Sequence, residues 1–249
     1  MKYLIELSYI GTRYCGFQVQ PGKLTIQSTL QDAIESVFGV RLPVKGCSRT
    51  DAGVHARQYF ATFDSEKSIP TEKLPLALNS RLPTDIAVRS SRIVPDSFHV
   101  RHDVEWKEYE YLLLGSRIRD PFLTGRAYQC RVMDREQLVL MRRAAEGFIG
   151  KHDFAGFMSA GTKIADTVRE VRYLEIIEDG ELMRIRIAAD GFLYNMVRII
   201  VGTLLDVAEG RIEPSEIPGI INSRDRSRAG ATAPAEGLYL NRVNFRAFE

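Results

Sequence analysis

The alternation of apolar and polar positions predicts that the chain opens with a β-strand over residues 3–9. From residue 25 to 38 the apolar positions instead repeat every three to four residues and stop before Gly39, which predicts an amphipathic helix. Further strands are predicted around residues 43–46, 59–63 and 86–94, with a helix interrupted by Pro75 before the last of them.

The second half of the chain also combines the hydrophobic periods of strands and of helices. A strand is predicted from Trp106, followed by a helix that has Asp134 as its N-cap and runs to Gly150. Two strands over 168–177 and 182–189 are separated by Glu-Asp-Gly, a hairpin signal. Residues 192–208 are almost wholly apolar, which predicts a helix that is buried on most sides.

Each half therefore runs strand, helix, strands, and this order argues against a regular βαβ alternation. We expect an α+β fold of two similar halves with antiparallel or mixed sheets. Residues 95–103 show no clear hydrophobic periodicity and mark a candidate domain boundary. The predicted domains are residues 1–100 and residues 101–249.

Composition indicates a soluble globular protein, with 45% hydrophobic and 27% charged residues in a chain of 249. No apolar run approaches the roughly 20 residues that span a bilayer, and Glu6 interrupts any signal-peptide pattern. Three cysteines without CxxC spacing fit reduced thiols, so we expect a cytoplasmic protein. The net charge of +2 is too small to indicate a nucleic-acid partner by itself.

Polar and conformationally demanding residues crowd together in the stretch 47–58. Gly53 adopts a positive φ at little cost and Asp51 tolerates turn conformations, so a tight turn is predicted here. Such a turn would present the Asp51 carboxylate, with Arg49 beside it. Local chemistry leaves two interpretations open, a reactive carboxylate and an Asx-turn with surface arginines.

Arg198 is the one basic residue in the apolar stretch 192–208. At helical spacing it shares a narrow stripe with Asn195, Gly202 and Asp206. A buried arginine needs a partner, and Asp206 is too far along the axis for direct pairing, so we expect Asp51 to supply the carboxylate. The alternative is that Arg198 reaches the surface at the helix edge.

Several other chemistries lack support. The four histidines show no HExxH or paired Cys/His spacing, so no metal site is predicted. No GxGxxG follows a strand, no P-loop occurs, and no serine stands in a GxSxG elbow.

The sequence resembles the bacterial tRNA pseudouridine synthase A family over almost its whole length. The matching motifs occur in order along the chain: GFQ at 16–18, SRTDAGVHA at 48–56, LPTDIAV at 82–88, FHVR at 98–101, KEYEY at 107–111, FLYNMVRIIVG at 192–202 and AEGLYL at 235–240. The SRTDAGVHA stretch resembles the family's active-site motif.

This resemblance implies a pseudouridine synthase fold, with helices on the outer faces of two halves around a central cleft. It implies that Asp51 attacks the target uridine, Tyr109 stacks on its base, Arg198 is the basic partner of Asp51, and Arg49 helps to displace the base. It also implies action on uridines 38 to 40 of the tRNA anticodon stem-loop, no cofactor, and a homodimer. Trp106, Glu108 and Glu110 make the surroundings of Tyr109 bulkier and more acidic than is usual.

A rival hypothesis from another class is a non-catalytic RNA-binding protein. In it, aromatic rings and arginines hold RNA while Asp51 only shapes a turn.

Overall fold

A computed structural model describes residues 1–131, 133–161 and 164–246 of the chain. Its strands are β1 Lys2–Tyr9, β2 Lys45–Gly46, β3 His55–Asp64, β4 Ile86–Val94, β5 Val104–Gly115, β6 Tyr128–Cys130, β7 Gly150–Asp153, β8 Val168–Asp179, β9 Leu182–Ala189 and β10 Leu238–Phe245. Its helices are α1 Ile26–Phe38, α2 Leu74–Asn79, α3 Arg135–Glu146, α4 Met196–Ala208 and α5 Ile217–Ser223. The predicted α+β class is confirmed.

The chain divides into two compact units. The first contains Met1–Glu105 and the described residues from Tyr239 onward, and the second is Trp106–Leu238. The sequence-based boundary stood between residues 100 and 101 and left the C-terminal segment in the second domain. The difference arises because β10 returns to pair in parallel with β3, where Tyr239 lies opposite His55.

The first unit is built on a mixed sheet in the order β4-β1-β3-β10, with the short β2 also paired to β3. β1 is antiparallel to both of its neighbours, and five of its eight residues are buried. β3 runs directly out of the turn that contains Asp51, so the position of this turn is fixed by the most interior strands of the unit.

Helix α1 ends where local sequence signals predict. The side chain of Thr25 accepts from the backbone N–H of Ser28, which completes a capping box at the N-terminus. Gly39 has φ 76° and donates to the Glu35 carbonyl, as expected of a left-handed C-terminal cap. Pro75 does not interrupt a helix as predicted, because it lies in the first turn of α2, where no backbone N–H is needed.

The second unit contains an antiparallel sheet in the order β5-β9-β8-β7, with β6 parallel to β5. The predicted hairpin is confirmed, with Gly180 at φ 64° in its turn. Helix α3 has the predicted Asp134 cap, whose side chain accepts from the Gln137 N–H, but the predicted end is wrong. α3 stops at Glu146 instead of Gly150, and Gly150, at φ 103°, begins β7.

Helix α4 begins four residues later than the predicted start at Phe192. Asn195 at its N-terminus has φ 62°, a left-handed conformation that a helix interior does not accommodate. The helix is buried on most sides, as predicted, with ten of its residues shielded from solvent.

Within the ranges that the structure describes, no helix has the length and apolar character needed to cross a membrane.

Candidate active site

Asp51 lies at the start of a tight turn between β2 and β3. The Val54 N–H donates to the Asp51 carbonyl at 3.1 Å, and Gly53 has φ 79°, a conformation that glycine adopts at little cost. The Asp51 side chain is half-buried. The predicted turn is therefore confirmed.

The loop that follows β1 holds this turn by its backbone on both sides of Asp51. The Phe17 N–H donates to the Thr50 carbonyl at 3.1 Å, and the Gly53 N–H donates to the Tyr14 carbonyl at 3.2 Å. Because Thr50 and Gly53 flank Asp51, these two bonds fix the backbone that presents its carboxylate.

Two glycines make this close approach possible. A Cβ on Gly16, which has φ +84°, would lie 2.6 Å from the Thr50 carbonyl oxygen. A Cβ on Gly11 would lie 1.9 Å from the Val54 carbonyl oxygen. Any larger residue at either position would therefore push the Asp51 turn away from the loop.

An aromatic platform supports the chain before Asp51. The ring of Phe17 stacks on that of Tyr59 with centroids 4.4 Å apart, and Tyr59 is completely buried. The Tyr59 hydroxyl donates to the carbonyl of Ser48, three residues before Asp51. The motif is thus anchored to β3 by a side chain as well as by backbone bonds.

Within this loop, the side chain of Tyr14 is held by Asp85. Its hydroxyl donates to Asp85 Oδ1 at 2.7 Å, and Arg13 lies 2.7 Å from the other oxygen of this carboxylate. Burial, followed by this hydrogen bond to an anion, raises the pKa of Tyr14 to about 12. Tyr14 therefore remains protonated at neutral pH and fixes the loop that braces Asp51.

His55 is completely buried, and its Nδ1 accepts from the Gly11 N–H at 2.9 Å. Its ring also packs against the ring of Tyr239, with the two centroids 4.5 Å apart. The Arg57 guanidinium lies over the same tyrosine ring, 4.8 Å from its centroid. These contacts give His55 a role in folding the turn. Across the described part of the chain, no three His, Cys, Asp or Glu side chains are grouped as metal ligands would be.

Arg49 differs from the residues around it because it is exposed and makes no hydrogen bond or ion pair with any residue that the structure describes. Its guanidinium is therefore available to an anionic ligand.

In the second unit, Tyr109 lies on β5 with 7% of its surface exposed. Phe192 meets the Tyr109 ring edge-on, with centroids 5.0 Å apart and planes at 86°. Strand alternation places Tyr109 and Tyr111 on one face of β5 and Glu108 and Glu110 on the other. The acidic neighbours of Tyr109 therefore do not share its face.

Both glutamates are also neutralised or hydrogen-bonded. Glu110 is 1% exposed, and its carboxylate accepts from Arg186 at 2.9 Å and from Arg184 at 3.4 Å. The Glu108 carboxylate accepts from the Tyr173 hydroxyl. These bonds tie β5 to β9 and β8, so the acidic pair contributes to the folding of the sheet that carries Tyr109.

Arg198 projects from α4 toward the segment that precedes β10. Its Nε donates to the Ala233 carbonyl at 2.7 Å, and its Nη1 donates to Asn195 Oδ1 at 2.8 Å. The Ala233 N–H donates in turn to the Arg198 carbonyl at 3.0 Å. The left-handed conformation of Asn195 thus places an amide oxygen on Arg198 and explains why the helix starts there.

The segment that precedes β10 packs against the predicted stripe on α4. A Cβ on Gly202 would lie 1.7 Å from the Ala231 carbonyl oxygen, so only glycine allows the two backbones to approach. Asp206 Oδ1 accepts a hydrogen bond from Arg211 Nε at 2.9 Å. This partner agrees with the expectation that Asp206 does not pair directly with Arg198. No local sequence pattern indicated that residues 230–233 would cover the stripe.

Tyr111 reaches the same segment from β5. Its hydroxyl donates to the Pro234 carbonyl at 2.7 Å, next to the residue that binds Arg198. Burial raises the pKa of Tyr111, while the charge of Arg198 opposes this shift. Strand β5, which carries Tyr109 and Tyr111, is therefore connected to Arg198 through the adjacent carbonyls of residues 233 and 234.

Comparison with known proteins identifies the family. A family profile described as tRNA pseudouridine synthase matches residues 7–103 and 144–246. The tRNA pseudouridine synthase A of Thermoanaerobacter sp. is 44% identical over 240 residues, covering 96% of this chain and 98% of that protein. The chain belongs to the tRNA pseudouridine synthase family.

Two further tRNA pseudouridine synthases A show the same degree of similarity. The protein of Ruminiclostridium cellulolyticum is 40% identical over 98% of this chain and 99% of its own length. That of Bacillus subtilis is 42% identical, again over 98% and 99%. The resemblance inferred from the motifs is thus confirmed over nearly the full chain.

Within this tRNA pseudouridine synthase, Asp51 and Arg49 belong to the first unit, and Tyr109 and Arg198 to the second. The family profile covers Asp51, Arg49 and Arg198, whereas Tyr109 lies outside both matched ranges. The structure brings Asp51 and Arg49 to one turn. The pairing of Asp51 with Arg198 stays a prediction, as do the individual roles of all four residues.

Sequence reasoning missed the residues that hold these groups in place. Gly11 was not singled out, and Gly16 and Gly202 were noted only as parts of a motif and of a helical stripe, although glycine often marks a close approach of two backbones. Ala233 and Pro234 act through backbone carbonyls, which leave no sequence signal.

Proposed function

We propose that this tRNA pseudouridine synthase isomerises uridines 38 to 40 of the tRNA anticodon stem-loop, with Asp51 as the residue that attacks the uridine. The observation that carries the proposal is the Asp51 turn, whose backbone is fixed on both sides by hydrogen bonds at 3.1 Å and 3.2 Å. A preorganised carboxylate is what attack on a bound nucleotide requires.

The reaction is an isomerisation whose atoms balance without a co-reactant. The bond between the ribose and N1 of uracil breaks, and a bond from the ribose to C5 forms. C5 loses a proton and N1 gains one. The chemistry therefore needs an attacking carboxylate and groups that hold the detached base, and we propose that no cofactor takes part.

Each of the other site residues has a proposed role. Arg49 is exposed and has no described partner, which suits displacement of the uridine from its stack. Tyr109, whose ring plane is set by Phe192, stacks on the uracil. Arg198 pairs with the Asp51 carboxylate and favours its ionised form, while Asn195 and the Ala233 carbonyl orient the guanidinium.

We further propose that the protein acts as a homodimer in the cytoplasm. Both statements rest on the family resemblance, and sedimentation of the purified protein tests the first.

The function is tested by incubating the purified protein with unmodified tRNA transcripts that carry uridine at positions 38, 39 and 40. Mapping of pseudouridine at single-nucleotide resolution should show conversion at these positions and at no other uridine. Transcripts with cytidine at all three positions provide the control and should remain unchanged. Conversion elsewhere would contradict the site assignment, and binding without any conversion would support the rival RNA-binding hypothesis.

A further inference from the structure

A pocket of about 280 Å³ lies in the first unit, beside the chain that leads to Asp51. Its most notable feature is its charge, because Lys45, Arg49 and Arg101 line it together with the imidazoles of His99 and His102. The remaining walls are neutral, and none of the described residues that line the pocket carries a carboxylate. Three cations thus face one small volume.

These cations are not neutralised within the part of the chain that the structure describes. The side chains of Lys45 and Arg49 make no hydrogen bond or ion pair with any described residue. Arg101 makes one long contact, from Nη2 to the Gly46 carbonyl at 3.4 Å. Mutual repulsion among such groups is relieved when an anion binds between them.

One of the two histidines, His99, gives the pocket a defined donor. His99 Nδ1 accepts from the backbone N–H groups of Arg101 and His102, each at 3.3 Å, so the ring proton resides on Nε2. Asp103 fixes this turn through its Oδ2, which accepts from the His99 N–H at 2.8 Å. Burial first, and then the charges of His102 and Lys45, lower the pKa of His99. His99, which lines the pocket, is therefore a neutral N–H donor beside cationic side chains.

The pocket is close to the reacting group. Arg49 and Asp51 are two residues apart, so their Cα atoms are separated by at most about 7.6 Å. Phe17 forms one wall of the pocket and also donates its N–H to the Thr50 carbonyl beside Asp51. The pocket is therefore adjacent to the turn that presents Asp51.

We propose that Lys45 and Arg101, with Arg49 and the His99 imidazole, bind a backbone phosphate of the tRNA that flanks the target uridine. This proposal rests on the proposed function and deepens it, because it assigns a substrate contact to residues outside the Asp51 motif. Arg101 and Lys45 hold the phosphate, and Arg49 connects this site to the displaced base.

The first test measures tRNA affinity against salt concentration for the wild-type protein and for Lys45→Gln/Arg101→Gln. Lys45 and Arg101 bind the same phosphate, so the double variant should lower the slope of log affinity against log salt by roughly 0.7 to 0.9, the value for one lost phosphate contact. Its affinity at low salt should fall at least tenfold, and its melting temperature should not change because both side chains are exposed. Lys73→Gln removes an exposed lysine that does not line the pocket and serves as the matched control.

The second test locates the phosphate. Single methylphosphonate substitutions in an anticodon stem-loop oligonucleotide remove one charge at a time. Wild type should lose affinity most at one or two phosphates beside the target uridine, and the double variant should be indifferent to those same substitutions. A double variant that loses affinity at the same phosphates as wild type would overturn the proposal.

Two further results separate this site from other possibilities. In the first, inorganic phosphate binds saturably and this binding depends on Lys45 and Arg101, while the double variant keeps the wild-type tRNA affinity and salt slope. This result would show a site for a free anion and overturn the proposal. If wild type binds tRNA through the pocket but forms no pseudouridine, the proposed function fails while the phosphate site stands.

Discussion

Substitution of Gly16 by alanine tests whether the loop after β1 positions Asp51. A Cβ at this residue would lie 2.6 Å from the Thr50 carbonyl oxygen, 0.8 Å closer than the 3.4 Å at which ordinary van der Waals contact begins. The nearby Asp51 carbonyl carbon and Ala52 nitrogen, at 3.2 Å and 3.3 Å, are also backbone atoms that cannot rotate away. The turn must therefore shift to accommodate the methyl group.

Gly22→Ala is the matched control for this substitution. Gly22 also has a positive φ, +68° against +84°, but its Cβ would meet nothing within 4 Å. Both variants carry the cost of a left-handed alanine, about 1–2 kcal/mol, partly offset by the reduced entropy of the unfolded chain. Only Gly16→Ala carries the overpacking cost, about 1–3 kcal/mol more.

Urea denaturation and single-turnover pseudouridine formation measure the two consequences. We expect Gly22→Ala to lose about 1 kcal/mol and to keep wild-type activity. Gly16→Ala should lose about 2–4 kcal/mol and react roughly 10- to 100-fold more slowly, because a displacement approaching 1 Å misaligns the attacking group. Equal stability and equal rates for the two variants would refute the inference that this loop sets the position of Asp51.

Three other predictions concern the surroundings of the site. In urea denaturation, Glu110→Gln should lower the free energy of unfolding by about 1–2 kcal/mol, because it leaves two half-exposed arginines without their buried anion. Glu178→Gln, which removes an exposed ion pair, is the control and should lower the free energy of unfolding by less than about 1 kcal/mol. The Tyr14 hydroxyl has a folded-state pKa of about 12, above its ordinary value of 10.0, so its contribution to stability is present below pH 10 and lost as the pH rises through 12. The stability difference between wild type and Tyr14→Phe should therefore shrink over that interval, and a constant difference would be evidence against the raised pKa. For the proposed pairing of Asp51 with Arg198, a double-mutant cycle with Asp51→Asn and Arg198→Met should show a coupling energy above about 1 kcal/mol in stability, while strict additivity would argue against it.

Elements with local signals were predictable from the sequence. Helix α1 carries its own start and stop in Thr25 and Gly39, and the turn at Gly53 is set by a residue that tolerates positive φ. The ends of α3 and α4 were not predictable in this way. The apolar period continues past Glu146 through Phe148, and nothing local indicated that Asn195 would adopt a left-handed conformation.

Features that depend on distant parts of the chain were missed for a different reason. β10 joins the first unit through a pairing of Tyr239 with His55, which are separated by most of the sequence. The carbonyl of Ala233 that orients Arg198, and the basic pocket formed by Lys45 with Arg101, likewise depend on tertiary packing. The Asp51 carboxylate was recognisable because its turn and motif are contiguous, while its supports are not.

The proposed function requires that the Asp51 carboxylate performs the chemistry rather than only shaping a turn. The most direct measurement is single-turnover pseudouridine formation by Asp51→Asn and Asp51→Ala at tRNA concentrations where binding to each variant has been shown to be saturated. Both variants should bind tRNA normally and form no detectable pseudouridine. Pseudouridine formation by either variant at the wild-type rate would contradict it.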